Sequence, residues 1–109
     1  MQKLFYETKV WMVNEKREAV FGGGLQKLLE EIDKCKSISG AAENLDMSYR
    51  YALHRITISE KRLGQSLVTR RRGGTGGGGS SELTDAGKDL LTRYVNAKAE
   101  IAKMLKSLE

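Results

Sequence analysis

The sequence holds a single cysteine, Cys35, and a single histidine, His54. One cysteine excludes an internal disulfide framework and any cysteine-based zinc cluster. One histidine with no acid or thiol at metal-ligand spacing is not a metal site, so no metal or other cofactor is expected. No apolar run approaches the roughly 20 residues that a membrane-spanning helix needs, and neither a signal peptide nor a prenylation ending can be read. The chain therefore reads as cytoplasmic, with no membrane partner. No Ser/His/Asp, Cys/His or paired-carboxylate arrangement stands out and no Walker lysine follows a glycine loop, so an enzyme is not expected.

What the chain does have is charge in one place. Its 109 residues carry a formal net charge of +5. Between Ser48 and Arg72 seven cations (Arg50, Arg55, Lys61, Arg62, Arg70, Arg71 and Arg72) stand against Glu60 alone, so the remainder is close to neutral. A localised basic stripe points to a polyanion partner more firmly than a high pI does. A chain this short hides only roughly 60–65% of its unfolded surface, and a partner subunit often adds stability.

The pattern along the chain is that of a mainly α protein with a small β component. Residues 4–13 are rich in β-branched and aromatic types, with Leu4, Tyr6, Val10 and Met12 on one face. A turn at Asn14–Arg17 and a return through Ala19-Val20-Phe21 predict a hairpin over 4–21. Gly22-Gly23-Gly24 breaks that run. Leu25, Leu28, Leu29, Ile32 and Cys35 then follow helical spacing and predict a helix over 25–35, with Cys35 as a small apolar residue at its end. Ser39 can cap a short helix that turns Ala41, Ala42 and Leu45 inward, and Asp46-Met47 makes the joint. Ser48 is the natural cap of the next helix, roughly 49–62, whose core side carries Ala52 and Ile56 and which ends at Leu63-Gly64. A helix-turn-helix over 39–62 is thus followed by two short strands, a wing over 66–83. Thr84 caps a long last helix over 84–109, with Asp85 at its positive end.

In that last helix Leu90, Tyr94, Ala97, Ile101, Met104 and Leu108 alternate spacings of four and three, an unbroken heptad stripe. At about 36 Å the helix is too long for so small a domain to cover. Packing against the domain's own hairpin is one use of the stripe. A twofold homodimer through it is the expected one. The division expected is a winged helix-turn-helix over 1–83 and a dimerisation helix over 84–109.

A winged helix-turn-helix reads DNA through the first turns of its second motif helix. Those residues are Ser48, Tyr49, Arg50, Leu53 and His54, with Thr57 a turn further on. Arg50 can fork onto guanine O6 and N7 or clasp a phosphate. Tyr49 can give a hydroxyl to phosphate, Leu53 can meet a thymine methyl, and protonation of His54 would make binding modestly pH-dependent. Arg70, Arg71 and Arg72 precede the glycine-rich stretch Gly73–Gly79. As a wing, these arginines would grip phosphates while Gly74, Thr75, Gly76, Gly77 and Gly78 let the backbone lie close to the minor groove. Two other readings exist, a flexible linker and a GxGxxG dinucleotide loop. The latter lacks a βαβ context, and three arginines make a poor buried strand.

These residues resemble the LysR-type winged helix-turn-helix family. Its pattern of S-x-S-x-A-A-x-x-L-x-x-S, an isoleucine, E-x-x-L-G-x-x-L-x-x-R and L-T-x-A-G is met by Ser37, Ser39, Ala41, Ala42, Leu45, Ser48, Ile56, Glu60, Leu63, Gly64, Leu67, Arg70, Leu83, Thr84, Ala86 and Gly87. Within it, the chain is similar to the N-terminal DNA-binding domain of the molybdate-responsive ModE regulators. Phe21-Gly22, Met47-Ser48-Tyr49-Arg50 and the glycine wing carry that similarity. The resemblance implies a dimeric, sequence-specific transcription regulator of double-stranded DNA whose glycine loop is native. Full-length members continue into oxyanion-binding domains, so a chain that stops at Glu109 is not expected to sense a small-molecule effector by itself. Three positions depart from the family: Thr75 where a basic residue is common, Leu53 where tryptophan often stands, and Ser59 at a usually apolar site. The alternatives are a sequence-indifferent architectural DNA-binding protein and an interaction module for a separate sensor subunit.

Overall fold

The computed structural model describes residues 1–71 and 79–109. Leu25, Leu28, Leu29 and Ile32 line one face of the first helix, α1 (Gly23–Cys35), and all four are buried. Each such side chain contributes about 1.5–3 kcal/mol on leaving water. The helix begins at Gly23 with Gly22 as its cap, two residues before the expected start. The buried stripe stops at Ile32. Cys35 is exposed rather than part of the core, because the chain turns left-handed at Lys36 (φ 57°) and the thiol donates to the carbonyl of Ser37 at 3.3 Å.

The next two helices, α2 (Ile38–Asn44) and α3 (Tyr49–Leu63), form the helix-turn-helix. Ser37 caps α2, its Oγ accepting from the Gly40 N–H at 3.0 Å; Ser39, the expected cap, lies inside the helix. Ala41, Ala42 and Ala52 are fully buried, and their small side chains let the helices approach. At the joint Asp46 takes a left-handed conformation (φ 55°), and the Met47 N–H reaches the Ala42 carbonyl at 2.9 Å. Gly64 (φ 72°) closes α3, where a side chain would be strained.

The N-terminal hairpin is much shorter than 4–21. Only β1 (Met12–Val13) and β2 (Ala19–Phe21) pair, antiparallel. The return strand has three residues before α1 begins, so nothing is left to pair with residues 4–11. That segment lies instead along the last helix, α4 (Asp85–Ser107). Val10 and Met12 pack against the core, whereas Leu4 and Tyr6 do not. Around the turn, the Asn14 side-chain oxygen accepts from the N–H groups of Lys16 and Glu18, both at 3.0 Å.

The two strands β3 (Val68–Arg71) and β4 (Ser80–Leu83) pair antiparallel, with Val68 opposite Leu83 and Arg71 opposite Ser80. Val68, Ser81 and Leu83 point into the domain and the Ser81 N–H donates to the Lys36 carbonyl, so the wing base is fixed to the end of α1. Thr84 caps α4 by accepting from the Gly87 N–H at 3.0 Å, and its hydroxyl donates to the Ser66 carbonyl at 2.7 Å. Tyr94 fills the centre of the core from α4, its ring 5.0 Å from that of Phe21 and its hydroxyl donating to the Val10 carbonyl at 2.7 Å. Among the described residues the architecture is thus four helices, the last of them long, with two small two-stranded sheets.

Candidate nucleic-acid interface

Helix α3 has two faces of different chemistry. Ala52, Ile56 and Ser59 are buried against the rest of the domain, whereas Tyr49, Arg50, His54 and Thr57 are all exposed. Ser48 fixes the start of the helix, its Oγ accepting from the Tyr51 N–H at 3.0 Å while the residue itself stays exposed. Thr57 is exposed with its hydroxyl committed to the Leu53 carbonyl at 2.7 Å. Leu53 differs from its expected setting: it is half-buried and packs against the core, so only part of it is open to a base. Ser59, a polar side chain, is buried.

The wing lies beside the start of this helix. Tyr49, Arg70, Arg71, Ser37, Ser39 and Ser80 border one small notch of about 250 Å³. The fold therefore gathers Tyr49 with two of the predicted wing arginines, which stand some 20 residues away in the sequence. Among the described residues neither Arg50, Arg70 nor Arg71 forms an ion pair, so their charge is available to an anion. Ser39 and Ser80 hydroxyls share the notch; no sequence signal marked them for the site. The predicted contacts Arg72, Gly74, Thr75, Gly76, Gly77 and Gly78 lie outside the described residues.

Not every cation of the basic stripe faces this way. Arg62 donates to the Ala19 carbonyl at 2.7 Å and approaches Glu18 at 3.8 Å. The Asn14 side chain in turn donates to the Arg62 carbonyl. The hairpin turn thus holds the last turn of α3 through Arg62. Arg55 lies against Gly24 at the start of α1. Both belong to the side of α3 that meets the hairpin rather than to the notch.

The predicted seam on α4 is divided. Tyr94 is buried within its own domain and Leu90 packs partly against the same core, so Tyr94 is not available to a partner. Ile101 is half-buried, whereas Ala97, Met104 and Leu108 are exposed. Among the described residues no three His, Cys, Asp or Glu side chains gather in a way that could hold a metal ion, and no helix is long and apolar enough to cross a membrane.

A recognition helix with an outward polar face, braced by a preceding helix and flanked by a basic two-stranded wing, defines a winged helix-turn-helix, a DNA-binding domain. Residues 25–88 match the family model of the bacterial regulatory helix-turn-helix protein, lysR family, and the chain belongs to that family. It is 36% identical over 98 residues to the molybdenum-pterin-binding protein MopB of Rhodobacter capsulatus, covering 90% of this chain and 36% of that protein. It is 38% identical over 68 residues to the transcriptional regulator ModE of Haemophilus influenzae, covering 62% of this chain and 26% of that protein. The chain thus spans about a third or less of the length of these curated relatives.

Proposed function

We propose that this chain is a sequence-specific DNA-binding transcription regulator that acts as a dimer in the cytoplasm. Helix α3 enters the major groove, with Ser48, Tyr49, Arg50 and His54 facing it, and the β3–β4 wing lies against backbone and minor groove. Residues 1–83 form the DNA-binding unit and 84–109 the dimerisation helix. The observation that carries the reading is the gathering of Tyr49, Arg70 and Arg71 around one notch, with no acid among its described lining residues. Phosphate contacts of this kind fix the register of a duplex, and base contacts from the neighbouring helix face then specify sequence. The matched family model covers the helix-turn-helix, so the reading takes from the relatives the DNA-binding role and not the binding of molybdate or a molybdenum pterin.

Selection from a pool of random duplexes tests this. Convergence on one motif with twofold symmetry is the expected result. Retention of duplexes without any shared motif would replace the reading with an architectural, sequence-indifferent role. Retention of none would favour an interaction module.

A further inference from the structure

Tyr49 and Tyr51 stand two residues apart in α3, about 200° around the helix axis, and so lie on opposite flanks of Arg50. Tyr49 borders the notch at the wing. Tyr51 borders a second notch, of about 380 Å³, between α3 and the N-terminal hairpin. Trp11, His54 and Arg55 stand around it with Tyr51, and the buried Phe21 and Leu25 also line it. Trp11 and Tyr51 are 60% and 50% exposed although they stand beside the core. No acid is among the described residues that line this notch. Arg55 lies against Gly24 in the first turn of α1, a turn without acidic residues. That contact places the guanidinium without neutralising it, and among the described residues Arg55 forms no ion pair.

We propose that this hairpin-side notch grips the sugar-phosphate backbone of one DNA strand while the wing notch grips that of the other. The inference rests on the DNA-binding reading above and adds a contact surface to it. A helix with its side chains is about 10–12 Å across, and the major groove is about 12 Å wide. A helix seated there has a phosphate wall on each flank. The wing flank meets its wall with Tyr49, Arg70 and Arg71. The hairpin flank offers the same chemistry from a different part of the chain. Arg55 supplies charge-assisted hydrogen bonds to phosphate, Tyr51 donates its hydroxyl, and Trp11 gives an apolar face to deoxyribose. Arg62 has a positioning role: its donation to the Ala19 carbonyl at 2.7 Å ties the hairpin, and with it Trp11, to the side of α3. Gripping both walls fixes the roll of α3 about its own axis, and so decides which of its side chains meet the bases.

Anisotropy titrations with the selected duplex, and with copies carrying single methylphosphonate linkages that each remove one backbone charge, test this. Arg55→Ala should weaken every duplex by about tenfold and lower the salt slope by about one unit, with far-UV circular dichroism confirming that the variant folds. It should also become indifferent to a neutral linkage on one strand, and Arg71→Ala to one on the other strand. The emission of Trp11, the single tryptophan, should change when the wild-type chain is saturated with duplex. Wild-type affinity and salt slope in Arg55→Ala would overturn the hairpin-side contact and leave DNA binding standing. Indifference of both variants on the same strand would do the same. Trp11 emission unchanged at saturation would also overturn the contact, however the variants behave. A wild-type chain that binds no duplex would overturn both readings.

Discussion

The carboxylate of Glu60 accepts the backbone N–H of Leu67 at 2.7 Å, and that of Val68 at 3.3 Å. One side chain in the last turns of α3 thus satisfies the two donors that open the wing. The recognition helix and the wing strand are held at a fixed offset by this contact. Glu60→Ala should cost about 1–3 kcal/mol, since it strands two N–H groups in a partly buried setting. Urea unfolding should show a lower midpoint with an unchanged slope. Glu60→Gln, which keeps an acceptor oxygen, should recover a large part of the loss.

Gly87 marks a close approach. A Cβ there would stand 2.3 Å from the Leu67 carbonyl oxygen, backbone that cannot swing aside. Gly87→Ala should therefore destabilise by about 1–3 kcal/mol or more, despite the better helix propensity of alanine. A thermal midpoint lowered by at least about 4 °C checks it.

The two arginine classes should separate in binding experiments. Arg50→Ala should cost about 1–3 kcal/mol on the preferred duplex and relax its sequence preference. Arg71→Ala should weaken all duplexes about equally and reduce the salt slope by about one unit. Equal losses of preference in both variants would mean that α3 does not read the bases.

Burial pushes the Tyr94 phenol above its ordinary pKa. The folded state therefore favours the neutral phenol. Its stabilising contribution is complete below the unfolded value of about 10 and is lost as pH rises through the higher folded value. Tyr94→Phe should lose about 1 kcal/mol at neutral pH through the missing bond to the Val10 carbonyl. The gap between the two proteins should shrink above pH of about 10, when read by chemical unfolding at several pH values.

Much of the fold was legible because local signals agreed with one another. Helical spacing of Leu25, Leu28, Leu29 and Ile32, the cap at Ser48, the glycine at Gly64 and the cap at Thr84 each mark an element where it stands. Short polar turns were less clear. Ser37 and Ser39 are both good caps, and only the backbone path, with Ser37 extended and accepting from Gly40, decides between them. The hairpin failed in extent for a long-range reason. Residues 4–11 have strand composition, but a strand needs a partner, and β2 offers three residues.

The site was legible as a set of charges and less so as a geometry. Seven cations crowd one stretch of sequence, yet Arg62 is held by the hairpin and Arg55 by the start of α1. Which cations stay free depends on contacts 30 to 45 residues away, and periodicity carries no trace of them. The heptad on α4 has the same ambiguity. Tyr94 and Met104 stand on the same stripe, but the first reaches Phe21 and Val10 in its own core and the second meets solvent.

Sequence-specific DNA binding is tested most directly by fluorescence anisotropy with the selected duplex and a shuffled one, from about 50 to about 300 mM salt. A sequence-specific regulator should prefer the selected duplex by about 10³ or more, and keep that preference as both affinities fall with salt. Equal affinity for the two duplexes, or no binding even at the lowest salt, would contradict it.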